Sequence, residues 1–236
     1  MVVLVHNEGP AVRPVIERLM ESVTLTNEVL VVYDQIEDIT LPTLHTMTTE
    51  FANLRLVHNQ ILRGPAGAIQ AGFKAAVAPV VVVTMSDGCD DPAQIDALIR
   101  LVERGVVVAA ASRFMRGGQR VGGPWGKGVL SRLAGTSLYW FARVGTHDAT
   151  NSFKAYSRDF VNTVGIDSTE GFEVGIELVA KARRRRLPVA EIPTIWLDRT
   201  TGVSNFRLLR WLRHYLRWYV YAFGSAQRSI TTKEVA

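Results

Sequence analysis

The sequence has a single cysteine, Cys89, in 236 residues. That excludes an internal disulfide framework and any zinc cluster built on cysteines, and it fits a reducing compartment. No apolar run reaches the roughly 18 residues needed to span a bilayer. The N-terminus carries no charged region followed by an apolar stretch and a cleavage site, so no secretory signal is expected and the default location is the cytoplasm. Neither GxGxxG nor GxxxxGK[ST] occurs, which removes the dinucleotide fingerprint and the P-loop. Negative charge is in deficit: 22 Asp and Glu against 27 Lys and Arg give a net charge of +5. The expected partner is therefore anionic: a nucleotide, a lipid phosphate or a membrane surface. Charge alone would also admit nucleic acid, but no recognised nucleic-acid module accompanies it, and none is expected as a partner.

What is present is an ordinary globular balance, 47% hydrophobic and 21% charged, in a chain long enough for a substantial core. Apolar β-branched runs alternate with amphipathic stretches. Strands are expected at Val2–Val5, Glu28–Asp34, LRLVH, PVVVVTMSD and VVVAAASRF, with helices between them. Such alternation predicts a mainly parallel sheet flanked by helices, with ligands beyond the carboxyl ends of the strands. His6-Asn7-Glu8, Tyr33-Asp34, the Asp87 cluster and Ser112-Arg113 all fall at that rim. Further on, helices are expected over LSRLAGTSLYWFARV and GFEVGIELVAKARRRR, then one strand over VAEIPTIWL. DRTTGVSNF reads as a polar loop, and Arg207–Phe223 as a C-terminal amphipathic helix.

Three constellations carry chemistry. MSDGCDDP places Asp87, Asp90 and Asp91 just past an apolar strand, as oxygen ligands for Mg²⁺ or Mn²⁺ would be placed. Asp90 and Asp91 can equally cap the helix that opens near Pro92, whereas Asp87, nearest the strand, is read as the site residue. RGPAG, with Gly64 and Gly67, can let backbone N–H groups approach a phosphate, although an ordinary turn explains it as well. DRTTGVSNF offers Arg199 and Ser204 to a phosphate, with an exposed loop as the plain alternative. Arg113 and Arg132 are further cations placed near the rim. The basic, aromatic tail helix suits the headgroup layer of a membrane, or simple docking on the domain. KARRRR, Lys181 to Arg186, reads as a helix C-terminus whose cations suit the dipole.

The order of these motifs resembles the family 2 glycosyltransferases, and within them the dolichyl-phosphate (polyprenyl-phosphate) mannosyltransferase-like group. VVLVHNEGPAVRPVIERL, VLVVYDQIEDIT, GPAGAIQAGFKAA, MSDGCDDP, ASRFMRGG, HDATNSFKAYSRD, GFEVGIELVAKARRRRLPVAEIP and DRTTGVSNF follow in family order, covering about Val2 to Phe206. The resemblance implies an α/β, Rossmann-like GT-A fold, with a catalytic domain over 1–206 and a basic aromatic helix and tail over 207–236. It also implies a nucleoside-diphosphate sugar donor (GDP-mannose or a UDP-sugar), Mg²⁺ or Mn²⁺, and a polyprenyl phosphate acceptor. Asn7, in the Asn-Glu turn, falls in the substrate-binding set; Glu8 and Asp34 would meet the nucleoside. Asp87, with Asp91 or Asp90, would hold the metal. Arg113, Arg132, Arg199 and Ser204 would meet donor or acceptor phosphates, with Asp87, Arg113 and Arg199 closest to the reaction.

Three positions depart from the family pattern: Met85 stands where the first acid of an Asp-x-Asp motif is usual, Tyr33 where the second strand usually has an aspartate, and Asn205 where the loop often has a lysine. The implied activity is inverting transfer of a mannose- or glucose-type sugar to a lipid phosphate. It would take place on the cytoplasmic, inner face of a membrane, with room for a separate membrane-embedded partner. The competing readings are a transferase with a saccharide or small-molecule acceptor, and a degenerate nucleotide-sugar binding module without turnover.

Overall fold

Valine-rich runs with no polar interruption become strands buried on both faces. In the computed structural model, which describes residues 1–123, 125–198 and 208–226, β1 (Val2–Leu4), β2 (Val29–Tyr33), β3 (Leu54–His58), β4 (Val80–Met85) and β5 (Val108–Ser112) follow the expected order. β6 (Gln119–Val121), β7 (Lys154–Ser157), β8 (Val189–Pro193) and β9 (Ile195–Leu197) complete the set. The main sheet has seven strands in the order β3-β2-β1-β4-β7-β5-β8. All its pairings are parallel except those of β7, which runs antiparallel to both β4 and β5.

Alternate side chains of each strand point to opposite faces, and each face meets its own helices. Val3, Val29, Val31 and Val82 pack under α1 (Val12–Ser22), α2 (Leu41–Glu50) and α4 (Ile95–Glu103). Val2, Leu4, Leu30, Val32, Val81 and Val83 pack under α3 (Pro65–Ala75) and α7 (Val174–Arg184). Fully burying one such side chain contributes roughly 1.5–3 kcal/mol, so the two apolar layers fix the strand ends that carry the polar rim.

The second half departs from the pattern in the sequence. VAEIPTIWL forms two strands in two sheets. β8 pairs with β5, and β9 pairs with β6 in a small separate ribbon. Pro193 has no N–H to donate, and the buried Thr194 turns the chain by donating to Ser112 O while accepting from Gln119 N–H. The helix expected from Leu130 begins earlier: α5 spans Trp125–Ser137 and continues as a π-helix over Leu138–Ala142. β7 and the short α6 (Arg158–Val164) have no counterpart in the periodicity.

α8 (Leu208–Ala222) docks on α7. Trp218 is 3% exposed and donates its indole N–H to Ser168 Oγ at 3.0 Å, and Tyr219 shares a 2.9 Å bond with Ser137 Oγ. Within KARRRR, Lys181 is buried instead of capping in water. It pairs with Glu177 at 2.5 Å and Asp167 at 2.8 Å, while Arg183 donates to the carbonyls of Ala142 and Gly224. The boundary expected between 206 and 207 lies outside the described residues. Among the described residues, no helix is long and apolar enough to cross a membrane.

Candidate active site

The rim is assembled from the carboxyl ends of β1, β2, β4 and β5. After β1, the chain turns sharply: Asn7 adopts φ 56°. Its N–H donates to both oxygens of the buried Asp38 at 3.1 Å, and the Glu8 N–H donates to Thr40 Oγ1 at 2.9 Å. Asp38 and Thr40 thus hold the Asn-Glu turn open to solvent, with the Asn7 side chain exposed. After β2, the Asp34 carboxylate accepts from Asn59 Nδ2 at 2.6 Å and from the Gly64 N–H at 2.7 Å. It pins the loop that leads into α3.

Gly64 sits at φ +106°, a conformation that only glycine takes without strain. Gly67 is buried beneath the Leu62 carbonyl, which a Cβ there would overlap. Its missing side chain therefore serves the close approach of its own loop.

The acidic cluster separates into three roles. Asp91 is the helix cap: it accepts from Ala93 N–H at 3.2 Å and from Gln94 Nε2 at 3.2 Å, with Arg18 at 3.7 Å. Asp87 accepts from the Cys89 N–H at 3.1 Å and remains half-buried. Asp90 accepts from Thr84 Oγ1 at 3.0 Å, and burial together with the charge of Asp87 pushes its carboxyl up to about 7. It also borders a cavity of about 200 Å³ between α1 and the end of β4.

Asp90, buried beside the charge of Asp87, forms with it a pair of hard oxygen donors whose crowded negative charge a divalent cation would relieve. Among the described residues no group of three or more His, Cys, Asp or Glu converges. Such an ion would therefore draw its other ligands from water and substrate phosphates, as Mg²⁺ commonly does.

Facing the acids is Arg113, at the end of β5. Its Nε and Nη2 donate to Asp148 at 2.7 and 2.9 Å, its backbone N–H to the same carboxylate at 3.0 Å, and Nη2 reaches Ser131 Oγ at 3.5 Å. Burial opposes the charge of Arg113, but Asp148 and then Asp90 outweigh it and hold the guanidinium above its ordinary value. Arg120 on β6 lies over Trp196 at 5.2 Å, and burial followed by repulsion from Arg113 holds it below the ordinary arginine value. A Cβ at Gly123 or Gly128 would overlap the Arg120 guanidinium, which gives those two glycines of GGPWGKG a packing reason.

Behind Arg113, Lys154 on β7 is fully buried, and burial pulls its ammonium down to about 7; it donates to the carbonyls of Ala149 and Asn151. Tyr215 of α8 also borders this group, raised by burial and by Glu173.

The structure thus brings together Asp87, Asp90 and Arg113 at one rim, with Asn7, Glu8, Asp34 and Gly64 on its flank. Arg132 is not among them: it is exposed, one position round α5 from Ser131, which faces Arg113. Arg199 and Ser204 lie outside the described residues. Asp148, Ser131 and Arg120 are site neighbours that sequence reasoning missed. HDATNSFKAY was legible as a motif, but nothing in its spacing says that Asp148 grips an arginine 35 residues earlier.

The model of the family described as Glycosyl transferase family 2 matches residues 1–165. The polyprenol monophosphomannose synthase of Mycolicibacterium smegmatis is 29% identical over 157 residues, spanning 64% of this chain and 59% of that protein. The undecaprenyl-phosphate mannosyltransferase of Micrococcus luteus is 28% identical over 207 residues, 85% of this chain and 84% of that protein. Among solved structures, glucosyl-3-phosphoglycerate synthase from Mycobacterium tuberculosis, in complex with Mn²⁺, UDP and glucosyl-3-phosphoglycerate, superposes with a TM-score of 0.69. It is 17% identical, over 95% of this chain and 79% of that one. A mannosyltransferase from Pyrobaculum calidifontis in complex with GDP-Man and Mn²⁺ gives a TM-score of 0.65 at 17% identity, covering 95% and 64% of the two chains.

Proposed function

The chain belongs to glycosyl transferase family 2 and has its GT-A type fold; on that premise we propose that it transfers a hexose, of mannose type, from a nucleoside-diphosphate sugar to a polyprenyl phosphate, with inversion. The observation that carries the reading is the rim itself. A half-buried acid pair, Asp87 and Asp90, faces a guanidinium that Asp148 holds in place. The names of the two relatives above, both built on lipid monophosphates, support the acceptor class.

A phosphate monoester has a second pKa near ~6, so the acceptor is largely dianionic at neutral pH and needs no strong base. The burden on the protein is to hold two anions close together and to stabilise the departing nucleoside diphosphate. An acceptor phosphate oxygen bonds to the anomeric carbon from the face opposite the leaving group, and the bond from that carbon to the diphosphate oxygen breaks. Asn7, Glu8 and Asp34 line the nucleoside side, and Gly64 with Gly67 keeps the α3 turn close to it. Arg113, with Ser131 beside it, is the fixed cation for the acceptor phosphate. Arg199 and Ser204 are further phosphate contacts in this proposal, and Arg132, expected from the sequence as another, is not used because it points away from the rim. Asp87 and Asp90 would hold Mg²⁺ or Mn²⁺, which when bound neutralises charge on the leaving diphosphate.

The apolar faces of α5 and α8 support delivery of a lipid acceptor. Trp125, Leu133, Trp140 and Phe141 are 83%, 63%, 65% and 77% exposed, and Leu216 and Val220 on the neighbouring helix are 54% and 63% exposed. We place this face against the inner leaflet of a membrane. The test is a screen of labelled nucleotide sugars with Mg²⁺ or Mn²⁺ and polyprenyl phosphate, read as label extracted into organic solvent. 3-Phosphoglycerate as the acceptor is the contrasting arm: label that stays in the aqueous phase, with none in lipid, overturns the acceptor assignment.

A further inference from the structure

Away from the rim, three arginines converge on a concavity of about 470 Å³. Arg143 comes from the turn after the π-helix, and Arg183 and Arg186 from the end of α7. Val144 and Val189 form its apolar wall, and among the described residues no acidic side chain lines it. Val189 opens β8, which runs parallel to β5, so the concavity sits at the end of the sheet opposite Arg113. Cations at a helix C-terminus suit its dipole, which accounts for Arg183 and Arg186 singly. It does not account for Arg143, which arrives from another segment.

Arg143 and Arg186 both adopt left-handed backbone, at φ 55° and 56°, two of the three positive-φ non-glycine residues among those described. Neither forms an ion pair with a carboxylate among the described residues. Arg183 anchors the cluster, donating to Ala142 O on one side and Gly224 O on the other, and so ties the π-helix to the end of α8. Like charges gathered in a hollow repel one another, and an anion in that hollow would relieve them.

The surroundings identify the kind of anion. Trp140 and Phe141 precede Arg143 and stand exposed, as do Val220 and Phe223 just before Gly224. Aromatic and aliphatic side chains around a basic hollow match a phospholipid surface, with phosphate in the hollow and the apolar groups in the interfacial layer. We propose that this arginine hollow binds the headgroup phosphate of an anionic phospholipid.

α7 runs from Glu173, close enough to Tyr215 to shift it, to Arg184, whose guanidinium lies 4.3 Å from the Tyr221 ring, with α8 packed alongside. The hollow is therefore separated from the rim by the length of α7, about 15 Å. Two attachment points, the acceptor at one end and a headgroup at the other, would set the orientation of the protein on the bilayer. This rests on the reading of the α5 and α8 faces as the membrane side.

The experiment is co-sedimentation of the full chain with vesicles lacking polyprenyl phosphate. One set is phosphatidylcholine alone, and the other an equal mixture with phosphatidylglycerol. Binding to the mixed vesicles, weakened by salt, is expected. The double variant Arg143→Gly, Arg186→Gly removes both charges at positions where glycine tolerates the backbone. It should bind the mixed vesicles roughly 25-fold more weakly, at about fivefold per basic residue. The pair Arg143→Lys, Arg186→Lys keeps the charge and should retain most of the binding, and melting curves of both variants should match the parent.

Transfer to a detergent-solubilised lipid phosphate should be unchanged in the glycine variant. Loss of transfer there bears on the active-site reading, whereas loss of vesicle binding alone bears on the hollow. Equal binding to both vesicle types, full binding by the glycine variant, or displacement of bound protein by millimolar inorganic phosphate overturns the headgroup assignment.

Discussion

Arg113 and Asp148 form a two-pronged ion pair at 2.7 and 2.9 Å, and the same carboxylate also accepts the Arg113 backbone N–H. The arginine side chain is 12% exposed and the aspartate fully buried. One acid therefore fixes both the end of β5 and the guanidinium that faces Asp90. Removing one partner of a buried pair leaves the other uncompensated. Asp148→Asn should lose about 3 kcal/mol in urea unfolding. A misplaced cation should also lower transfer roughly 100-fold, mostly in kcat/KM for the acceptor. Unfolding and transfer curves matching the parent would refute the positioning role.

Lys154 predicts a pH dependence of stability. Its folded value, about 7, lies below its ordinary 10.5. Between those limits the unfolded chain holds the proton and the folded chain does not, so stability rises with pH. The cost of the buried charge is present in full below pH 7 and is relieved towards pH 10. The buried N-terminal amine, pulled down from 8.0 to about 6, adds a smaller rise up to pH 8. The melting temperature should therefore climb more steeply from pH 7 to 9 in the parent than in Lys154→Met; parallel curves would contradict the assignment.

Trp218 is the main anchor of α8, buried against α7 and bonded to Ser168. Trp218→Ala should cost about 3 kcal/mol. It should also expose the helix backbone, so that trypsin cuts faster at Arg213 and Arg217. Unchanged cleavage would mean that the helix is held by something other than this side chain.

Gly67 has the Leu62 carbonyl where a Cβ would stand. Gly67→Ala forces the Asn59–Gly64 loop outward, at about 1–3 kcal/mol, or a melting temperature lower by roughly 2–12 °C. A variant as stable as the parent would show that the loop has room to move.

Much of the first half was legible because its signals are local. Four successive valines before Met85 can only be a buried strand, and polar residues at the strand ends mark the rim without knowledge of the packing. The second half hid its structure in contacts distant in sequence. Lys154 breaks the apolar pattern of β7, and the carbonyls of Ala149 and Asn151, with the charge of Asp148 nearby, make that burial tolerable. Pro193 and Thr194 split one apparent strand between two sheets. In the site, Pro92 marked a helix start, but the sequence left Asp90 and Asp91 equally open as cap or metal ligand; the bonds from Ala93 N–H and Gln94 Nε2 to Asp91 make it the cap. That Asp90 turns inward beside Asp87, and that Ser131 and not Arg132 faces Arg113, depends on packing the spacing does not encode.

In the proposed reaction, the Asp87–Asp90 pair and Arg113 carry sugar transfer to a lipid phosphate. The direct measurement is the initial rate of label transfer from a nucleoside-diphosphate sugar to polyprenyl phosphate, with Mn²⁺ or Mg²⁺ present, for the parent, Asp87→Ala and Arg113→Ala. A loss of roughly 100-fold or more is expected in each variant, with the fold intact by circular dichroism. Rates equal to the parent in both variants would contradict it.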